Sequence, residues 1–63
     1  MGIRSRRLSM NMTQESVGEA LGVERSTVAM WETRQSAPRA AMLPALAKLL
    51  NCTIDELLTD DEM

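Results

Sequence analysis

A chain of 63 residues leaves room for one small domain, and a domain of that size buries only about 60% of the surface its unfolded form exposes. With 44% hydrophobic residues, 2% aromatic, few β-branched positions and no run alternating with period two, an all-α fold packed by Ala, Leu and Met is expected, and a sheet is not. A single cysteine excludes an internal disulfide and a cysteine metal cluster, and the net charge of −2 argues against a strongly polyanion-binding surface.

No apolar run reaches membrane-spanning length and the N-terminus has no signal-peptide core, so the expected compartment is a reducing cytoplasm. The charge is unevenly placed. Residues 1–39 carry six arginines against four glutamates, and residues 40–63 one lysine against five acidic groups. The first part is mildly basic and the second acidic, which implies weak non-specific affinity for a polyanion.

Residues 3–10 are expected to form the first helix, with Ile3, Leu8 and Met10 inward and Arg4 and Arg6 outward. Asn11 is placed to end it, because asparagine tolerates the left-handed conformation better than other non-glycine residues. Thr13 is suited to cap a second helix through its hydroxyl. In that helix Val17, Ala20 and Leu21 share the i, i+3, i+4 spacing of one face. Gly22 falls where a helix end requires positive φ.

A third helix begins near Glu24, a poor N-cap whose charge nevertheless suits the helix dipole. Val28 and Trp31 form its inner face, so Trp31 is read as core, while Arg25, Ser26, Ala29 and Met30 point elsewhere. Residues 33–39 read as a loop containing Pro38. A fourth helix over residues 40–50 places Leu43, Leu46, Ala47 and Leu50 on one face, with Pro44 near its first turn. Thr53-Ile54-Asp55-Glu56 has the form of a capping box opening a short fifth helix that ends at Leu57-Leu58, and the acidic tail 59–63 is expected to fray. Cys52, at the turn between the last two helices, reads as a small packed residue.

Two short helices hinged at Leu21-Gly22-Val23 make a helix-turn-helix, whose second helix commonly enters the major groove of DNA. Residues 13–32 resemble the helix-turn-helix of the Cro/repressor-type (XRE) family of bacterial and phage regulators, including lambdoid phage repressors. Thr13, Gln14, Val17, Gly18, Leu21, Gly22, Val23, Ser26, Thr27, Val28, Trp31 and Glu32 fit its pattern in register. The small Gly18 falls where the two helices must touch. The likeness extends from Ile3 to Leu58. It departs from the family at Asn11, where glycine is usual, and at Thr33-Arg34, where the family commonly has Asn-Gly or x-Gly. Without that glycine, Arg34 is expected to adopt a strained conformation.

The resemblance implies a compact five-helix repressor-like DNA-binding domain over residues 1–63. Its partner would be double-stranded DNA, read in the major groove by Arg25, Ser26, Ala29 and Met30. Arg25 has the geometry for a bidentate bond to guanine, Ser26 can donate or accept, and Met30 and Ala29 offer apolar contact. Gln14, at a helix N-terminus, matches a family residue that binds a phosphate oxygen. Thr27, Arg34, Gln35, Ser36 and Arg39 are further backbone-contact candidates, each also readable as an ordinary exposed polar residue. Arg7 and Glu32 occupy positions the family pairs as a partly buried ion pair between helices one and three.

The resulting expectation is a sequence-specific regulator, a repressor acting as a homodimer on a partly palindromic operator. The dimer surface is sought around residues 51–58, with the start of helix four as the alternative. The competing reading is a protein-interaction module that keeps the fold and has lost or subordinated DNA binding. Without His, Tyr, a phosphate-binding glycine loop or a spaced carboxylate pair, no catalytic or metal site is expected, and no cofactor or small-molecule ligand.

Overall fold

The computed structural model describes residues 2–59, and its elements follow from local capping chemistry. Helix α1 spans Ile3–Ser9, α2 Gln14–Leu21, α3 Arg25–Glu32, α4 Leu43–Leu49 and α5 Ile54–Thr59, with a 3₁₀ turn at Ala40–Met42 leading into α4. No strand occurs among the described residues, and no helix is long and apolar enough to cross a membrane. The Cα radius of gyration, 10.2 Å, is that of a compact chain of this length.

Helix α1 turns its apolar residues differently from the expected arrangement. Ile3 and Arg7, one turn apart, are buried, while Leu8 and Met10 lie at the surface. Five residues of helix rotate a side chain well away from the Ile3 face, so Leu8 cannot share it. The place one turn on from Ile3 is taken by a charged residue with a buried partner. Asn11, at φ 57°, ends the segment in the left-handed region, as its side-chain type suggested.

Thr13 caps α2 reciprocally. Its Oγ1 accepts from the Ser16 N–H at 3.0 Å, and Ser16 Oγ accepts from the Thr13 N–H at 2.9 Å. The inner face of α2 is Val17 with Gly18, flanked by half-buried Leu21. Ala20, expected on the same face, is exposed. Gly22 closes the helix at φ 72°. A Cβ on Gly18 would stand 2.7 Å from the Val23 carbonyl oxygen, so the chain leaving α2 can pass this closely only over glycine.

Glu24 precedes α3 without a side-chain cap bond. Val28 and Trp31 are buried in a core that also takes Ile3, Val17, Leu46, Ala47, Leu50 and Leu57. All five α-helices therefore contribute to one cluster. The fourth helix departs from the expected span of 40–50. Pro44 lacks the N–H that an α-helix starting at residue 40 would need, and its ring would crowd the carbonyl four residues back. The chain instead takes the tighter 3₁₀ turn before α4 begins.

Glu56 and Thr53 cap α5 reciprocally at 2.9 and 3.0 Å, and half-buried Cys52 packs against the core beside them. The Gly2 N–H donates to the Leu57 carbonyl at 3.2 Å, and Arg6 lies 3.8 Å from Glu56, so α5 is tied back to α1. Thr59 is the last residue of α5. The fraying expected of the acidic tail otherwise concerns residues 60–63, which lie outside the described residues.

Candidate nucleic-acid interface

Because α3 spends Val28 and Trp31 on the core, its remaining faces are open to contact. Arg25, Ser26 and Met30 are exposed and Ala29 is half-buried, so the four share one side at i, i+1, i+4 and i+5. Met30 leaves 38% of its surface in water, which is unusual for a flexible apolar side chain that core packing could have absorbed. Thr27 is half-buried on the flank of the helix toward α2.

The rear of α3 is pinned by a charged cluster. Arg7 Nε donates to Glu32 Oε2 at 2.6 Å and Arg7 Nη2 to Glu32 Oε1 at 3.2 Å, a two-point clamp. Arg7 Nη1 donates to the Met12 carbonyl at 2.8 Å, which also ties the α1–α2 connection to the clamp. The Glu32 side chain is 3% exposed and the Arg7 side chain 10%. Charges this deep must be paired, and these are.

Glu32 Oε1 takes a further hydrogen bond, from Gln14 Nε2 at 3.1 Å. A carboxylate only accepts, so the Gln14 amide must turn its nitrogen inward, leaving its second N–H and its carbonyl oxygen for another partner. Gln14 is therefore oriented at the start of α2, where helical N–H groups lack intrahelical acceptors. Arg4, Arg7, Thr13, Gln14, Glu15 and Arg25 line one open concavity there. Arg4, Arg7 and Arg25 give this concavity its cationic groups, and Arg7 is committed to Glu32.

Sequence alone does not single out Arg4 and Thr13 as contact candidates. Arg4 reads as an outward residue of a weakly periodic helix, and only the packing of α1 against α3 brings it to the concavity that Arg25 also lines. A second concavity, between α2 and the turn, is lined by Glu15, Glu19 and Glu24 together with Arg25. Carboxylates there repel a phosphate backbone, so they mark a limit of any DNA-facing surface on that side.

The loop after α3 is fastened to the helix end. Thr33 Oγ1 donates to the Ala29 carbonyl at 3.1 Å, and the N–H groups of Gln35 and Ser36 reach the Met30 carbonyl at 2.9 and 3.3 Å. Gln35 Nε2 turns back to Thr33 Oγ1 at 3.2 Å. Arg34, Gln35 and Ser36 are exposed beside Met30. Arg39, the last residue of the loop, is exposed beyond buried Pro38. Among the described residues no group of three or more His, Cys, Asp and Glu could hold a metal ion.

A helix-turn-helix family model matches residues 3–57. The chain is 37% identical over 57 residues to the transcriptional activator BcrR of Enterococcus faecalis, matching 90% of this chain and 28% of that protein. It is 36% identical over 59 residues to repressor protein C2 of Salmonella phage P22, matching 94% of this chain and 27% of that one. For the transcriptional regulator DicA of Escherichia coli the identity is 38% over 60 residues, 95% of this chain and 44% of the relative. The chain thus spans less than half the length of these three relatives. Its fold superposes on a crystal structure of the P22 c2 repressor in complex with a synthetic operator, with a TM-score of 0.85 and 36% identity, covering 94% of this chain and 89% of that one.

Proposed function

Because the chain belongs to the XRE-type helix-turn-helix family, we propose that it binds double-stranded DNA by placing α3 in the major groove and that it acts as a transcription regulator. The observation that carries this reading is the side of α3 formed by Arg25, Ser26, Ala29 and Met30, turned away from the core beside an oriented Gln14. Arg25 reads guanine, Met30 and Ala29 lie against apolar base edges, and Ser26 completes the polar contacts. Gln14 binds a phosphate at the start of α2, and Thr27, Arg34, Gln35, Ser36 and Arg39 supply further backbone contacts.

One copy of α3 reads only a few base pairs, so the operator is a partly palindromic site bound by a homodimer, and the regulation is repression. The exposed apolar residues Ile54 and Leu58, one turn apart on α5, support a dimer surface within residues 51–58. The test is selection from a random duplex library with the purified chain and with Arg25→Ala. Enrichment of an inverted repeat with half-sites about one helical turn apart, lost with the substitution, is the expected result. No enrichment from folded protein at low salt would overturn the reading.

A protein-interaction module is the second reading, favoured by the glutamates along the α2 edge and the net acidity. Salt separates the two. A DNA reader weakens steeply as salt rises, and a module without DNA affinity shows no binding even at low salt.

A further inference from the structure

The methionines are placed against the usual preference of an apolar side chain for the interior. Met10 and Met30 leave 42% and 38% of their surface in water, Met12 and Met42 are half-buried, and no described methionine is buried. The buried cluster is built from Ile, Val, Leu, Ala and Trp side chains and holds no sulfur. An oxidant that transfers oxygen to thioethers therefore meets this chain at its surface before it reaches the core. Its product, methionine sulfoxide, is polar where the thioether was apolar, and enzymatic reduction reverses it.

Met30 is the methionine that shares a side of α3 with Arg25, Ser26 and Ala29. Its backbone is held apart from its side chain, because its carbonyl accepts the N–H groups of Gln35 and Ser36 at 2.9 and 3.3 Å. A change at the sulfur thus leaves the helix end in place. With a hydroperoxide as oxidant, an S–O bond forms as the O–O bond breaks. The sulfur gives up two electrons, the peroxide takes them, and hydrogen peroxide leaves as water. The new oxygen is a strong acceptor, and the thymine methyl that suits a thioether offers it no donor. Pressed against such a base edge, the sulfoxide loses its water without gaining a hydrogen bond.

We infer that Met30 is a reversible oxidation site that switches off DNA reading while the fold persists. The inference rests on the DNA-binding reading above and adds the regulation of the same surface. Met10 is the internal control, since it is more exposed than Met30 and lies outside α3. Cys52 is the second control, being the chain's one thiol.

The experiment treats the unaltered chain, Met30→Leu, Met10→Leu and Cys52→Ser with hydrogen peroxide. Peptide mass spectrometry maps each sulfoxide, thermal unfolding follows the fold, and titration of the selected operator measures binding. Each protein is compared with itself untreated, so any change that Met30→Leu makes in basal affinity drops out. Oxidation of the unaltered chain should weaken binding on the order of tenfold, in step with the Met30 sulfoxide fraction, with cooperative unfolding retained. Met10→Leu and Cys52→Ser should lose affinity to the same extent, and Met30→Leu should lose none. Methionine sulfoxide reductases for both epimers should restore the unaltered chain, a result that depends on no variant. Undiminished binding with Met30 oxidised, an equal loss in Met30→Leu, unfolding on oxidation, or a Met30 left intact while Met10 reacts would overturn the inference alone. Absence of DNA binding by the untreated chain would remove the functional reading and this inference with it.

Discussion

The two ends of α3 are held in place by opposite means. At the front, the chain passes from α2 into α3 through two glycines: Gly18 lets the backbone approach to where a Cβ would sit 2.7 Å from a carbonyl, and Gly22 turns it at φ 72°. At the rear, Glu32 is gripped by Arg7 and Gln14 in near-complete burial, and the helix closes through an arginine in a glycine's conformation. The front is fixed by missing side chains and the rear by charged ones. The front thus sets the angle at which α3 is presented. The rear couples that angle to the side chains, Gln14 and Arg34, proposed to meet phosphate.

Breaking the rear should have the largest effect. Glu32→Ala leaves the Arg7 guanidinium buried without its partner and should destabilise the fold by about 3–5 kcal/mol. Replacing both members with apolar residues of similar volume should be far milder, and chemical denaturation of the single and double variants measures the difference. At the front, Gly18→Ala forces a methyl group against the Val23 carbonyl, which is backbone and cannot swing aside. A loss of about 1–3 kcal/mol, with a changed presentation of α3, is expected from denaturation and DNA titration together. The smallest effect is at Gly22, where nothing lies within 4 Å of the point a Cβ would occupy. Gly22→Ala should cost only the left-handed conformational penalty, about 1–2 kcal/mol at most, and Gly22→Asn less. A Gly22→Ala loss as large as that of Glu32→Ala would erase the distinction between the two ends.

The same contrast explains what sequence can and cannot reveal. Caps and turns depend on neighbours in the chain, and so Thr13, Asn11, Gly22 and the Thr53–Glu56 pair are readable directly. The strained Arg34 is readable as a missing glycine. Leu8 and Met10 are not, because the inward place on α1 goes to Arg7, whose partner lies 25 residues away and whose burial no local periodicity can signal. The 3₁₀ turn before α4 is hidden in a pattern whose apolar spacing looks helical from residue 40, although Pro44 carries the warning. For the candidate interface, the outer residues of α3 follow from helical spacing alone. The concavity that Arg4 and Arg25 both line, and the bond from Gln14 to Glu32, arise only when α1, α2 and α3 pack.

The central claim is that the front of α3 reads bases while its rear end anchors to the backbone. It is tested most directly by titrating the selected operator and every single-base-pair variant of one half-site with three proteins: the unaltered chain, Arg25→Ala and Arg34→Gly. Arg25→Ala should flatten the preference at one base pair, where discrimination of about 1–3 kcal/mol disappears, and Arg34→Gly should weaken all sites by a common factor. Uniform weakening by Arg25→Ala, with a base-specific loss in Arg34→Gly or none in either, would contradict the account.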